Sequence, residues 1–199
     1  MTRRPSAGPS KTRQANAPRG RADEQSALTP ALKAAIRDIP DFPTPGIVFK
    51  DITPLLADAD LFRRATRALT APFLADRVTH VVAVEARGFI FGAPVAQQLG
   101  AGFIPARKAG KLPGRTERVE YALEYGSASL EIHREPNMQP MRVLVVDDVL
   151  ATGGTAAATC ALIERLGAAV IGCSFLLELG FLNGRRLLDG RRVESLLTY

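Results

Sequence analysis

The stretch Val143-Leu-Val-Val-Asp-Asp-Val-Leu-Ala-Thr-Gly-Gly-Thr155 decides how this 199-residue chain folds. Its four leading aliphatic residues, three of them β-branched, read as a strand buried on both faces of a parallel sheet. Two adjacent carboxylates, Asp147 and Asp148, follow at the carboxyl end of that strand. A short loop with Gly153 and Gly154 leads into a helical pattern in which Ala158, Ala161, Leu162 and Leu166 share one face. Backbone amides in such a turn, together with the dipole of the helix that follows, can receive a phosphate. The paired carboxylates beside it suit hydroxyls or a cation. The combination fits a phosphorylated sugar.

Neighbouring segments supply the rest of an α/β fold. Val78–Val84 reads as a second buried strand, ending at Glu85-Ala-Arg-Gly-Phe89, with a helix from about Phe91 to Leu99. Phe103-Ile-Pro105 reads as a short parallel strand, so a right-handed crossover unit is expected. A second unit runs from Val143 through its helix to a strand at Val170–Leu177, with a short helix near Asn183–Leu188 and a last strand at Val193–Leu197. Residues 106–121, basic and broken by Gly and Pro, are expected as a long loop, and a hairpin around Gly126 would join Tyr121–Tyr125 to Ser129–His133. Upstream, Thr29 and Pro30 offer an N-cap and first position for a helix that ends near Asp38. Another helix spans roughly Ala59–Leu74. The order of elements predicts a mostly parallel central sheet flanked by helices.

Charge is unevenly placed. The first 27 residues hold six basic side chains against Asp23 and Glu24, which accounts for +4 of the total of +6. They are rich in Pro, Ser, Gly and Ala and poor in aliphatic residues, so residues 1–27 are expected as a disordered tail and 28–199 as one domain. The tail has no helical pattern to present to nucleic acid, and Pro5, Pro9 and Pro18 argue against an amphipathic transit helix. No run reaches the 18 or so apolar residues that cross a bilayer. Cys160 and Cys173 read as reduced, buried thiols in a cytoplasmic protein. His80 and His133 stand apart with no ligand cluster near either, so a zinc site is not expected.

In open α/β sheets ligands lie beyond the carboxyl ends of the strands. Three loops share that edge here: Glu85–Phe89, Arg107–Arg118 and Asp147–Thr155. Neither the Gly-x-Gly-x-x-Gly nor the Gly-x4-Gly-Lys pattern is present, which disfavours dinucleotide and P-loop sites. An acidic pair can merely cap a turn, a Gly-Gly turn is commonplace, and a basic loop is more often a solvated surface. Together they favour a site, because the acids and the phosphate loop fall in one 13-residue run.

Val143–Thr155 resembles the phosphoribosyl pyrophosphate (PRPP) binding motif of type I phosphoribosyltransferases. The resemblance extends to the adenine phosphoribosyltransferases from about Ile36 to Tyr199. Its carriers are Asp41-Phe-Pro-Thr-Pro-Gly-Ile-Val-Phe-Lys-Asp-Ile-Thr-Pro54, Glu85-Ala-Arg-Gly-Phe-Ile-Phe-Gly92, Arg107-Lys-Ala-Gly-Lys-Leu-Pro-Gly114 and Leu123-Glu-Tyr-Gly126. The basic tail has no counterpart in the family pattern.

The resemblance implies the type I phosphoribosyltransferase fold, with a small hood and a mobile loop, and purine salvage: adenine plus PRPP gives AMP plus pyrophosphate. It implies that Asp147 and Asp148 hold the ribose 2- and 3-hydroxyls, and that Ala151, Thr152, Gly153, Gly154 and Thr155 cradle the 5-phosphate. Arg87 falls in the pyrophosphate loop, where a strained peptide just before the Arg is usual. Arg107, Lys108 and Lys111 match positions that neutralise the leaving pyrophosphate, in part across the interface of a homodimer. Glu124 matches a proton-handling group near adenine N7, and Tyr125 belongs to the loop that closes over the site. The backbone of Val48 and Lys50 matches the adenine-reading edge, with Phe49 and Leu179 as apolar walls. Mg2+ is expected to arrive on PRPP, with no direct protein ligand. Two rival readings are a phosphoribosyltransferase for 6-oxopurines and a PRPP-sensing regulator that binds nucleic acid.

Overall fold

The computed structural model of the chain describes residues 19–122, 127–134 and 141–199, with backbone alone for 19–26, 122 and 127. A seven-stranded sheet organises the fold. Its strands are β3 (His80–Val84), β4 (Gly102–Lys108), β5 (Thr116–Ala122), β6 (Ser127–His133), β7 (Arg142–Leu150), β8 (Ala169–Glu178) and β9 (Val193–Thr198), in the order β5-β6-β4-β3-β7-β8-β9. The run β4-β3-β7-β8-β9 is parallel, whereas β6 lies antiparallel to both β4 and β5. The expected mostly parallel α/β sheet is therefore present.

Both crossover units form because their strands are apolar on both faces and their helices on one. Helix α4 (Arg87–Leu99) links β3 to β4 and buries Phe91, Val95 and Ala96. Helix α5 (Gly154–Arg165) links β7 to β8 and buries Ala158, Leu162 and Ile163. The sheet separates two buried clusters. One gathers α4, α1 (Arg19–Ala34) and α3 (Ala59–Thr70) around Leu32, Leu69, Phe73 and Phe91. The other joins α5 to β6 and to the tight turn Gly184–Leu188 through Leu130, Ile132, Leu162 and Leu188. Cys160 on α5 and Cys173 on β8 are free and fully buried in the second cluster, with their sulfurs 3.7 Å apart.

Several boundaries differ from the sequence reading, each for a local reason. Helix α1 starts at Arg19, within the stretch expected as tail, and Thr29 and Pro30 lie inside it. Residues such as Ala22, Glu24, Gln25 and Ala27 are adequate helix formers, and Leu28, Leu32 and Ile36 share a buried face. The helix stops at Ala34 because Arg37–Ile39 (β1) pairs antiparallel with Phe49–Asp51 (β2). Two ion pairs favour that ribbon over a longer helix: Arg37 with Asp51 at 2.7 Å and Lys50 with Asp38 at 2.6 Å.

The basic stretch 106–121 is not one long loop. Strand β4 runs on to Lys108 because Arg107 and Lys108 pair with Glu131 and Leu130 of β6. Strand β5 already begins at Thr116, since Val119 and Tyr121 alternate onto the second cluster. Only residues 109–115 connect them.

Candidate active site

The carboxyl ends of β3, β4, β7 and β8 form one edge, and the three expected loops meet there. Strand β7 outruns its neighbour: pairing with β3 ends at Val146, whereas pairing with β8 continues to Leu150. Asp147 and Asp148 therefore lie within the strand and not in the turn after it, which corrects the reading of them as following the strand. They emerge where β3 has already turned aside through Glu85 and Ala86, whose peptide bond is cis.

The surroundings of these two acids are unequal. Asp147 Oδ1 accepts the amide of Asp148 at 2.9 Å, and it packs so closely on α4 that a methyl at Gly88 would lie 2.7 Å from it. Asp148 is buried, with Nε of Arg87 only 2.8 Å from its Oδ2. That guanidinium is not aligned as a hydrogen-bond donor, so Oδ2 has a charge partner yet no directed donor among the described residues. Burial pushes the Asp147 carboxyl well up, and the Asp148 charge pushes it further. Burial also raises Asp148, with Arg87 pulling the other way.

Arg87 is the first residue of α4 and serves two neighbours. Its guanidinium carbon lies 4.9 Å from the ring centroid of Phe49 on β2. The structure thus brings together Phe49, expected at the base, with Arg87 and Asp148, expected at PRPP. Phe49 also meets Phe42 edge to face at 5.2 Å. Val48 is exposed. Lys50 is held by Asp38, and its ammonium lies 4.0 Å over the Tyr199 ring. Leu179 follows β8, half-buried, and its amide donates to the Leu150 carbonyl at 2.9 Å, so it abuts the start of the glycine turn.

That turn connects β7 to α5 through Ala151, Thr152 and Gly153. Gly153 adopts φ +85°, a conformation that costs glycine little and other residues more. Helix α5 then starts at Gly154, and the first amides of a helix have no intrahelical partner. Thr155 Oγ1 donates to the Tyr121 hydroxyl at 3.2 Å, which ties β5 to the turn.

The basic side chains divide into held and free-standing. Arg107 grips Glu85 with Nη2 at 2.7 Å and Nε at 3.2 Å, and its Nη1 donates to the Lys111 carbonyl at 3.0 Å. The Arg107 hydrogen bonds hold the Glu85 carboxyl below its usual range. Lys108 and Lys111 are exposed. Beneath the loop, buried Glu131 accepts the amides of Lys111 and Leu112 at 3.0 Å each. Burial opposes the charge on Glu131, but those amides and Arg118 outweigh it and hold the carboxyl below its usual range. Glu124 and Tyr125 lie outside the described residues.

Sequence reasoning gave no role to Glu131, Tyr121 and Gly184, and took Glu85 and Gly88 only as members of the Arg87 loop, although all five orient the expected residues. The one signal available was an acid, Glu85, at the carboxyl end of an apolar strand.

Comparison with known proteins places this geometry among relatives. The phosphoribosyl transferase domain family matches residues 56–185. The adenine phosphoribosyltransferase of Myxococcus xanthus is 58% identical over 172 residues, covering 86% of this chain and 94% of the relative. That of Methylococcus capsulatus is 56% identical, covering 84% and 98%. Among solved structures, the adenine phosphoribosyltransferase of Thermoanaerobacter pseudethanolicus superposes with a TM-score of 0.82 at 51% identity, covering 85% of this chain and 99% of that one. The Saccharomyces cerevisiae enzyme, complexed with adenine and an imino-altritol bisphosphate, gives 0.81 at 40% identity, covering 86% and 99%.

Proposed function

We infer the workings of this site from one premise: the chain belongs to the adenine phosphoribosyltransferase family. It transfers the 5-phosphoribosyl group of PRPP to adenine, forming AMP and releasing pyrophosphate, a step of purine salvage.

The observation that carries the residue assignments is the buried Asp148 carboxylate, with Arg87 on one side and the glycine turn directly after its strand. In our reading Asp147 and Asp148 accept the ribose 2- and 3-hydroxyls. Their charge lies close to the positive charge that develops on the sugar as the bond from C1 to pyrophosphate breaks. Residues 151–155 receive the 5-phosphate on backbone amides. Arg87 meets the pyrophosphate, and Lys108 and Lys111 neutralise it as it leaves. Arg107 adds charge there while its hold on Glu85 keeps β3 and β4 aligned. Glu124 handles the proton at adenine N7, and Tyr125 closes the site. Val48 and Lys50 read the base through their backbones, with Phe49 and Leu179 along its faces. Positioning and electrostatics supply most of the rate.

Mg2+ fits this scheme as a passenger of PRPP. Among the described residues no three His, Cys, Asp or Glu side chains gather as a cage, whereas a magnesium ion readily binds through substrate phosphates, waters and one or two carboxylates. When bound it would offset pyrophosphate charge. We further propose a homodimer, with the Arg107–Lys111 segment at its edge, and a cytoplasmic location. No helix among the described residues is long and apolar enough to cross a membrane.

One assay tests the base assignment: AMP-type product formed from PRPP with adenine, hypoxanthine or guanine in turn. Adenine should lead by about 10²-fold or more, because a 6-oxo base would leave buried polar groups unpaired. Faster turnover with either 6-oxopurine would overturn the assignment. The same assay on residues 28–199 tests our division of the chain, and activity close to that of the full chain is expected.

Arg87 also sets a pH response. Its guanidinium opposes the upward push of burial on Asp148. Arg87→Ala removes that opposition, so the carboxyl protonates at higher pH. The acid limb of kcat/KM for PRPP should move upward in the variant, beside its lower plateau. A limb that stays in place or moves down would detach Arg87 from Asp148 ionisation.

A further inference from the structure

A second segment stands directly behind the glycine turn. Gly184 is buried and opens the tight turn Gly184–Leu188. A Cβ built on Gly184 would overlap the carbonyl oxygen of Ala151 and lie 2.9 Å from the Gly153 amide nitrogen. The converse also holds, since a Cβ on Gly153 would overlap the Gly184 carbonyl oxygen and stand 3.0 Å from its carbon. Two stretches of backbone therefore touch with no side chain between them.

Three features keep Gly184 there. Leu188, at the end of the same turn, is buried in one cluster with Leu150 and Ala156. Asn183 enters the turn at φ +52°. Arg185 then locks the segment: its Nε lies 2.8 Å from each carboxylate oxygen of Glu178, Nη1 donates to the Val193 carbonyl at 2.9 Å, and Nη2 to Ser195 Oγ at 3.4 Å. Glu178 is the last residue of β8 and pairs in register with Leu150, the residue before the glycine turn. A bracket from β8 and β9 thus closes on the backbone that supports Ala151–Gly153.

We propose that Gly184 and Arg185 are positioning residues for the 5-phosphate: the Gly184 peptide sets where the amides of the glycine turn point, and the Arg185–Glu178 pair holds that peptide in place. Neither residue touches substrate. The proposal rests on the reading of residues 151–155 as the 5-phosphate cradle. Hydrogen bonds weaken steeply once donor and acceptor leave alignment, and displacements near 1 Å in a binding constellation are felt strongly. A wedge behind the turn should therefore act on the 5-phosphate and spare pyrophosphate, which is bound elsewhere.

The test measures binding of AMP, which carries the 5-phosphate, and of magnesium pyrophosphate, which does not, by calorimetry on the full chain. Gly184→Ala should weaken AMP by about tenfold or more. Arg185→Ala should weaken it severalfold, with part of the loss recovered in Arg185→Lys, and magnesium pyrophosphate should bind all three as it binds the parent. If a folded Gly184→Ala protein binds AMP as the parent does, or loses AMP and pyrophosphate alike, the proposal is wrong. Should Gly184→Ala not fold, the two Arg185 variants decide by the same criteria. Thr155→Ala separates the proposal from its premise. A loss of AMP binding in Thr155→Ala alone keeps the cradle and removes the bracket. Unchanged AMP binding in Thr155→Ala removes the cradle, and the proposal with it.

Discussion

Asp148→Asn should lower kcat/KM for PRPP by well over tenfold, a loss of about 1.4 kcal/mol or more in transition-state stabilisation. The carboxylate is buried, and its Oδ2 faces the Arg87 guanidinium at 2.8 Å. Asparagine keeps the shape but removes the charge, and its amide can turn a donor toward another donor. The variant then lacks a negative group near the developing positive charge, and Arg87 loses its partner. Steady-state kinetics with PRPP varied at saturating adenine would measure the loss. Kinetics close to the parent would take Asp148 out of the chemistry.

Gly88→Ala should cost roughly 10- to 100-fold in the same quantity, on the scale of a sub-ångström to 1 Å misplacement of a reacting group. The new methyl would lie 2.7 Å from Asp147 Oδ1 and 3.2 Å from the Val146 carbonyl oxygen. Asp147 Oδ1 already accepts the Asp148 amide, so turning the carboxylate away disturbs both acids. Stability should fall much less, because alanine is the better helix former by up to about 1 kcal/mol. A large kinetic loss beside a small change in Tm is the expected pair of results. An unaltered kcat/KM would mean that the start of α4 yields instead of Asp147.

The elements that sequence reading located well are those whose burial leaves a periodic trace. Val143–Val146 and Val170–Leu177 each lie within a strand of the parallel sheet, and the reading at Val78–Val84 overlaps β3 from His80 onward. The helix after Gly153 is equally plain, because two adjacent glycines and an apolar stripe mark its start and face. What escaped depended on partners distant in sequence. β4 extends to Lys108 only because β6 lies beside it. Helix α1 gives way to β1 because Arg37 and Asp38 find Asp51 and Lys50. Likewise, the acids and phosphate turn could be read from one stretch, but not the contact of Arg87 with Phe49 or that of Gly184 with Ala151. Those arise between elements that no local pattern connects.

The β1–β2 ribbon stands apart from the seven-stranded sheet, and all three β1 residues are exposed while those of β2 are half-buried. Neither core cluster draws a buried residue from either strand. Substitutions at exposed positions typically shift stability by only about 0.5 kcal/mol. On our assignment of Val48 and Lys50, the part of the molecule that discriminates between bases is also the part the fold depends on least. Base preference can then be redesigned in this ribbon at little cost to the fold, with Phe49, whose ring meets the Arg87 guanidinium, as the position that ties it to the PRPP side.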